Sequence, residues 1–243
     1  NELVSKIGHS HSGGNYILDK GLPSGLFADY LHSLSDYIYM IKLGWTSWSL
    51  ISNKELQKKV NLARKYNIPI CLGGSLFEIS YERKVYNDLL KFIVNNGFKH
   101  IEIGSGFAVD VKEVPHAVDL AKKQGLSVIV EIGFKDQKRD DSLTIKDRMY
   151  NIRSAIESGA DQVILEAREQ GEGYSVFKED KSKNRKLLSS ILDYLPLKKV
   201  IFEAPNRKTQ VFLIKEVGPD VNLGNIPFDE IPRVETFRRR LHA

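Results

Sequence analysis

Short apolar runs recur along this chain, and most stop abruptly at a charged residue or an amide. The clearest are Ile38-Tyr-Met-Ile-Lys42, Ile101-Glu102-Ile, Val128-Ile-Val-Glu131, Val163-Ile-Leu-Glu166, Val200-Ile-Phe-Glu203 and Val221-Asn222-Leu. An amphipathic helical pattern follows each. Strand-helix alternation predicts a parallel sheet. Polar residues at the carboxyl ends of such strands gather on one face, where barrel enzymes keep their chemistry. This pattern therefore bears on fold and function together.

Eight strand-helix pairs can be traced. The spacing predicts strands near residues 15–19, 37–43, 68–73, 99–104, 127–133, 162–167, 199–204 and 220–225. Helices are predicted near 24–33, 53–66, 81–96, 112–124, 144–159, 184–194, 207–217 and 228–241. Ser52 or Asn53 can cap the second helix, and Gly97, Gly125 and Gly159 stand where a helix gives way to the next strand. Eight such units in 243 residues match a single-domain (β/α)8 TIM barrel. The alternative, a doubly wound open sheet, calls for a phosphate-binding glycine fingerprint after the first strand, and Gly21-Leu-Pro-Ser-Gly25 does not match one. The expected layout is a flexible leader over 1–14 and the barrel over 15–243.

Composition narrows the class. Apolar residues make up 42% and charged residues 28%, as in a soluble globular protein. No apolar run approaches a membrane span, and no signal peptide is visible. These features predict a cytoplasmic protein with no membrane partner. Cys71 is the sole cysteine, so an internal disulfide or a cysteine-based metal cluster is excluded. The net charge of +5 is spread along the chain and mixed in sign. The concentrated Arg238-Arg-Arg240 run lacks interleaved aromatics, so no nucleic-acid partner is expected. Modest positive charge suits small anionic substrates, and a homo-oligomer is compatible with the sequence.

The candidate chemistry lies at the strand ends: Asp19, Lys42, Glu78, Glu102, Glu131, Lys135, Glu166, Arg168, Glu203, Asn206, Asn222 and Asn225. Glu102, Glu131, Glu166 and Glu203 can offer oxygen ligands to a hard cation such as Mg²⁺, or serve only as ion-pair partners for the cations. His9 and His11 fall in the leader and read as solvent-exposed, which argues against zinc. Lys42, Lys135 and Arg168 point to an anion. A lysine at a barrel mouth can anchor phosphate, act as a Schiff-base nucleophile or donate a proton. The loops after the seventh and eighth strands, with Asn206, Arg207, Asn222 and Asn225, suit a phosphate group or ordinary turns. Gly73-Gly74 reads as a tight turn or as close approach of backbone to a ligand.

Seven segments in order resemble the phosphosulfolactate synthase family: Lys42-Leu-Gly-Trp45, Gly73-Gly-Ser-Leu-Phe-Glu78, Ile101-Glu-Ile103, Glu131-Ile-Gly133 with Lys135, Glu166-Ala-Arg-Glu169, Phe202-Glu-Ala-Pro-Asn206 and Gly218-Pro-Asp-Val-Asn-Leu-Gly-Asn-Ile226. The resemblance covers residues 17–241. It implies a (β/α)8 barrel that adds sulfite to phosphoenolpyruvate with Mg²⁺, giving (2R)-phospho-3-sulfolactate for coenzyme M or sulfolactate formation. Lys135 is then expected to protonate C2. Lys42 would join it in catalysis and, with Arg168, bind anionic groups, while Asn206, Arg207, Asn222, Asn225 and Arg238 contribute to substrate binding. The sequence departs from the family pattern at five places, one of them Glu169-Gln-Gly171-Glu-Gly173, where the family reads Glu-Ser-Gly-x-Gly. Thr46 replaces a glycine, and Ser105 stands where an acid or amide is usual. Arg240 replaces a second glycine, and His242 an arginine. Two other readings follow from these changes: a barrel enzyme for another phosphorylated enol or keto acid, or a non-enzymatic heat-stress-associated relative.

Overall fold

The structure, a computed structural model, describes residues 7–166 and 181–242. Eight parallel strands close into a barrel in sequential order. They are β1 Asn15–Asp19, β2 Met40–Leu43, β3 Ile70–Leu72, β4 His100–Ile103, β5 Ser127–Ile132, β6 Gln162–Leu165, β7 Val200–Glu203 and β8 Leu223–Ile226. The final pairing, β8 against β1, registers Leu223 with Asn15 and Ile226 with Ile17 across an irregularity. Each of the eight expected strands is present, most of them one to three residues shorter than the apolar run that announced it.

The expected helices are also present, as Ser24–Leu34, Asn53–Lys65, Tyr86–Asn95, Val114–Lys123, Ile145–Glu157, Lys181–Tyr194, Arg207–Val217 and Ile231–Arg238. Ser52 caps the second through a bond from the Glu55 amide. Thr144 and Asp147 form a reciprocal capping box at the start of Ile145–Glu157. Two further helices, Gly74–Glu82 and Gln137–Ser142, and a 3₁₀ segment, Gly44–Leu50, fill the loops after β3, β5 and β2. Among the described residues no helix is long and apolar enough to cross a membrane.

Strand alternation sorts the side chains into two groups. Ile17, Ile41, Ile101, Val128, Val130, Val163, Val200 and Phe202 join the main core, packed with the helices. Tyr16, Met40, Cys71, Ile129, Ile164 and Ile201 form a separate cluster, the floor of the barrel lumen. Two residues further along four of these strands come Lys42, Glu131, Glu166 and Glu203, on the same face and one layer higher. Alternation thus turns the charged strand ends inward, above a sealed apolar floor. Asp19 belongs to the other face. It is fully buried and takes Lys59 at 2.6 Å, so it is a structural ion pair rather than part of the mouth.

The described part of the leader keeps Ile7, His9, Ser10 and Ser12 exposed but is tied to the barrel by specific bonds. It crosses the amino-terminal end of the barrel, where the amide and hydroxyl of Ser12 bond Asp220 and the Gly14 amide bonds Asn222. His11, read from sequence as solvent-exposed, lies 2.9 Å from Glu235 with only 6% of its side chain accessible. Gly13 has no room for a side chain: a Cβ there would lie 2.4 Å from the Arg238 guanidinium.

Candidate active site

A cavity of about 300 Å³ opens at the carboxyl ends of the strands. Lys42, Glu102, Glu131, Glu166 and Glu203 lie at its base, with Ser75, Lys135, Asn225 and Trp45 around it. Lys42 is buried at the centre, 3.0 Å from Glu102, 3.3 Å from Glu203 and 4.0 Å from Glu131. Burial alone would push its ammonium toward the neutral form. The surrounding charges, Glu102 foremost, outweigh that and hold its pKa well above the ordinary lysine value. Lys42 is therefore a fixed cation.

Glu102 is tied down on both oxygens. Tyr16 donates to Oε2 at 2.9 Å, while Lys42 and the Gly74 amide donate to Oε1. Burial raises its pKa, but Lys42, a shared hydrogen bond with Glu131 and the Tyr16 hydroxyl bring it down to about 2. Tyr16 also contacts the Cys71 thiol, whose pKa is pushed up to about 12 chiefly by burial. That thiol is inert at neutral pH. As residues of the site, Tyr16 and Cys71 escaped the sequence reading. The cue was period-two alternation, which places Tyr16 beside Leu18 on the lumen face.

Glu131, Glu166 and Glu203 each present an oxygen within 4.8 Å of the others. Burial and then the charge of Glu102 hold the Glu131 carboxyl well above the usual range. Burial and then Glu203 bring Glu166 to about 8. Three carboxyls this close cannot all ionise without a compensating cation. Oε2 of Glu131 is buried with no hydrogen-bond partner, although a built side chain at either Gly74 or Gly104 would collide with it. Both glycines thus leave room for a carboxylate oxygen, which is the close-approach reading of Gly73-Gly74 with a protein group in place of a ligand. A hard cation such as Mg²⁺ fits this oxygen set. Glu102, expected as a fourth ligand, lies outside this group of three, with both oxygens held by Tyr16, Lys42 and the Gly74 amide.

Lys135 stands at the rim, donating to Ser75 Oγ at 2.8 Å. Burial lowers its pKa, but Glu131, Glu166 and Glu78 more than offset this and keep it charged. Asn225 lines the cavity with backbone φ of 57° and a buried, unpartnered Oδ1. Asn206 is spent on structure: its Oδ1 caps helix Arg207–Val217 through the Thr209 amide and hydroxyl. Arg207 is exposed at that helix start. Two expected substrate contacts lie at the opposite end of the barrel. Asn222 precedes β8 and bonds Gly14, Leu197 and Val200. Arg238 is buried against the carbonyls of Pro219, Val221 and Gly14. A carboxyl-terminal arginine cannot reach the mouth from there. Arg168 lies outside the described residues.

Comparison with known proteins points to a family. Residues 9–243 match the family described as (2R)-phospho-3-sulfolactate synthase (ComA). The chain is 36% identical to a phosphosulfolactate synthase of Methanocaldococcus jannaschii, over 93% of its own length and 91% of the relative. It is 23% identical to the Arabidopsis thaliana protein HEAT-STRESS-ASSOCIATED 32, over 90% of this chain and 82% of that one. Among solved structures, a type I 3-dehydroquinate dehydratase from Clostridium difficile superposes with a TM-score of 0.60 at 14% identity, covering 97% of this chain and 96% of the other. At that identity the likeness concerns the barrel alone.

Proposed function

The chain belongs to the (2R)-phospho-3-sulfolactate synthase family, and on that footing we propose that it is a Mg²⁺-dependent lyase joining sulfite to phosphoenolpyruvate. One observation carries the reading: a single cavity holds two lysines kept cationic by carboxylates, and three of those carboxylates, Glu131, Glu166 and Glu203, gather closely enough to suit a divalent cation as well. The lysines suit an anionic substrate and the carboxylates a metal that such a substrate would share.

The bond changes balance without redox. The sulfite sulfur lone pair forms the new bond to C3 of phosphoenolpyruvate. The C2–C3 π electrons move onto C2 and the carboxylate as an enediolate. A proton then reaches C2 and gives (2R)-phospho-3-sulfolactate. Glu131, Glu166 and Glu203 would hold Mg²⁺, which supplies electrophilic stabilisation of the enediolate charge. Lys135 is the proton donor in this reading, because its ammonium stands at the cavity rim and is kept protonated. Lys42 neutralises charge at the base. Asn225, with a side-chain amide to offer, contributes to holding the substrate's anionic groups. The retained lysines and carboxylates favour catalysis over a non-enzymatic role of the kind open to a heat-stress-associated relative.

Turnover settles the matter. Purified protein with Mg²⁺ should consume phosphoenolpyruvate only when sulfite is added, forming one phosphosulfolactate per phosphoenolpyruvate lost. Unchanged phosphoenolpyruvate under those conditions would sink the proposal, and turnover of another phosphorylated enol or keto acid would redirect it.

A further inference from the structure

Glu78 lies outside the layer of strand-end charges. It sits in the middle of helix Gly74–Glu82, and its side chain is 0% accessible. A carboxylate that deep needs hydrogen bonds or cations to compensate for lost water. The compensation comes from one short stretch of chain. Oε1 accepts the Gly106 amide at 3.0 Å. Oε2 accepts Phe107 and Ala108, each at 2.8 Å, and Val109 at 3.4 Å. Four successive amides of the irregular segment after β4 therefore converge on one side chain.

That segment holds Lys135. The Lys135 amide donates to the Gly106 carbonyl at 3.1 Å. Its ammonium lies 5.2 Å from the centre of the Phe107 ring and 3.8 Å from Glu78 Oε1. Ser75, which accepts from the same ammonium, lies one turn before Glu78 on the same helix. Gly106 marks the crossing point: a Cβ there would come within 3.0 Å of the Lys135 side chain and 3.2 Å of Glu78 Oε1.

We propose that Glu78 is a positioning residue for Lys135, acting by clamping the segment after β4 against which the lysine rests. It lines no part of the cavity and acts through the lysine rather than on substrate. Charge-assisted bonds from four amides fix the segment more firmly than neutral ones would. The inference rests on Lys135 as the proton donor of the proposed reaction, where a misplacement of about 1 Å lowers rate on the order of 100-fold.

Two variants test it. Glu78→Gln keeps the shape but offers an NH₂ group to donors, so the clamp opens. Glu78→Asp keeps the charge on a shorter arm. In Glu78→Gln, hydrogen exchange in a peptide spanning residues 105–109 should quicken about tenfold, the change expected of a locally released segment. kcat should fall on the order of 100-fold, with KM for phosphoenolpyruvate and sulfite within about threefold. Glu78→Asp should recover part of both effects. Quickened exchange with unchanged kcat, or unchanged exchange in a folded variant, overturns the assignment. If Glu78→Gln does not fold, Glu78→Asp decides: loss of kcat in step with exchange supports the clamp, and quickened exchange with full kcat refutes it. If the wild-type protein lacks sulfite-dependent turnover, the reaction reading fails by itself. Acylation of Lys135, followed by mass spectrometry, then judges the clamp: faster labelling in the variants supports it and equal labelling refutes it.

Discussion

The ammonium of Lys42 lies 3.0 Å from Oε1 of Glu102, with both side chains buried beneath the cavity. The two charges stabilise each other, and the same ammonium also donates to Glu203 at 3.3 Å. Lys42→Met should leave an uncompensated carboxylate and lower stability by about 3–5 kcal/mol in denaturant unfolding. Adding Glu102→Gln should restore part of that stability, since Glu203 still lacks its lysine, without restoring turnover. A single variant as stable as wild type would show that the pair is solvated.

The raised pKa values of Glu131 and Glu166 set a pH dependence. Glu166 keeps its proton in the folded protein up to about 8, whereas the unfolded chain loses it near the ordinary carboxylate value of about 4.3. The folded state then binds more protons between those limits, so metal-free stability falls as pH rises through that window. Melting temperature measured from pH 5 to 8 in chelator should decline, and Glu166→Gln should flatten the decline. A rise over the same range would contradict the assignment.

Metal binding should release protons, because carboxylates must ionise to coordinate. Mg²⁺ at 100 times its Kd should stabilise the fold by about 2.7 kcal/mol, with tighter binding at pH 8 than at pH 6. Glu203→Gln should lose most of this effect in a thermal titration. Equal Mg²⁺ response in wild type and Glu203→Gln would place the ion elsewhere.

Thr46 and Arg240 both stand where the family resemblance expects glycine, and both keep the glycine-favouring backbone, with φ of 58° and 57°. The substitutions left the turns in place and accepted the strain. Thr46→Gly should gain stability: relief of about 1–2 kcal/mol of left-handed strain outweighs the added flexibility of glycine, about 0.5–1 kcal/mol. Thr46→Ala gives no such relief and serves as the control in thermal unfolding. Equal behaviour of the two variants would mean that the threonine is unstrained.

Arg238 separates scaffold from site. Its guanidinium closes the amino-terminal end of the barrel against backbone carbonyls, and burial draws its pKa down to about 10. Arg238→Met should cost about 2–4 kcal/mol of stability by leaving buried acceptors unpaired, while KM for phosphoenolpyruvate stays near the wild-type value. A KM raised tenfold with unchanged stability would return the residue to substrate binding.

Most of the barrel was legible because each strand is an apolar run stopped by a polar residue, and that pattern survives folding. The inward layer was legible for the same reason, since Lys42, Glu131, Glu166 and Glu203 all end their runs in phase. What was missed depends on partners distant in sequence. Gly74–Glu82 follows β3 after a single residue, Gly73, so its start reads as a turn. Arg238 and Asn222 carry functional-looking side chains, but only the tertiary structure shows that carbonyls and the Gly14 amide already occupy them. Nor could sequence single out Glu102 from four similar glutamates, since Tyr16 and the Gly74 amide hold it apart from the three that gather together.

Ile129 lies two residues before Glu131, Ile164 two before Glu166, and Ile201 two before Glu203. Stacking each acid above a floor residue welds chemistry to pairing. A strand shifted by one residue would carry its carboxylate out of the lumen and into the apolar layer beneath the helices. Misregistered barrels are thus penalised by the buried charge as well as by lost packing. The acids that would bind the ion also act as proofreaders of how the barrel closes.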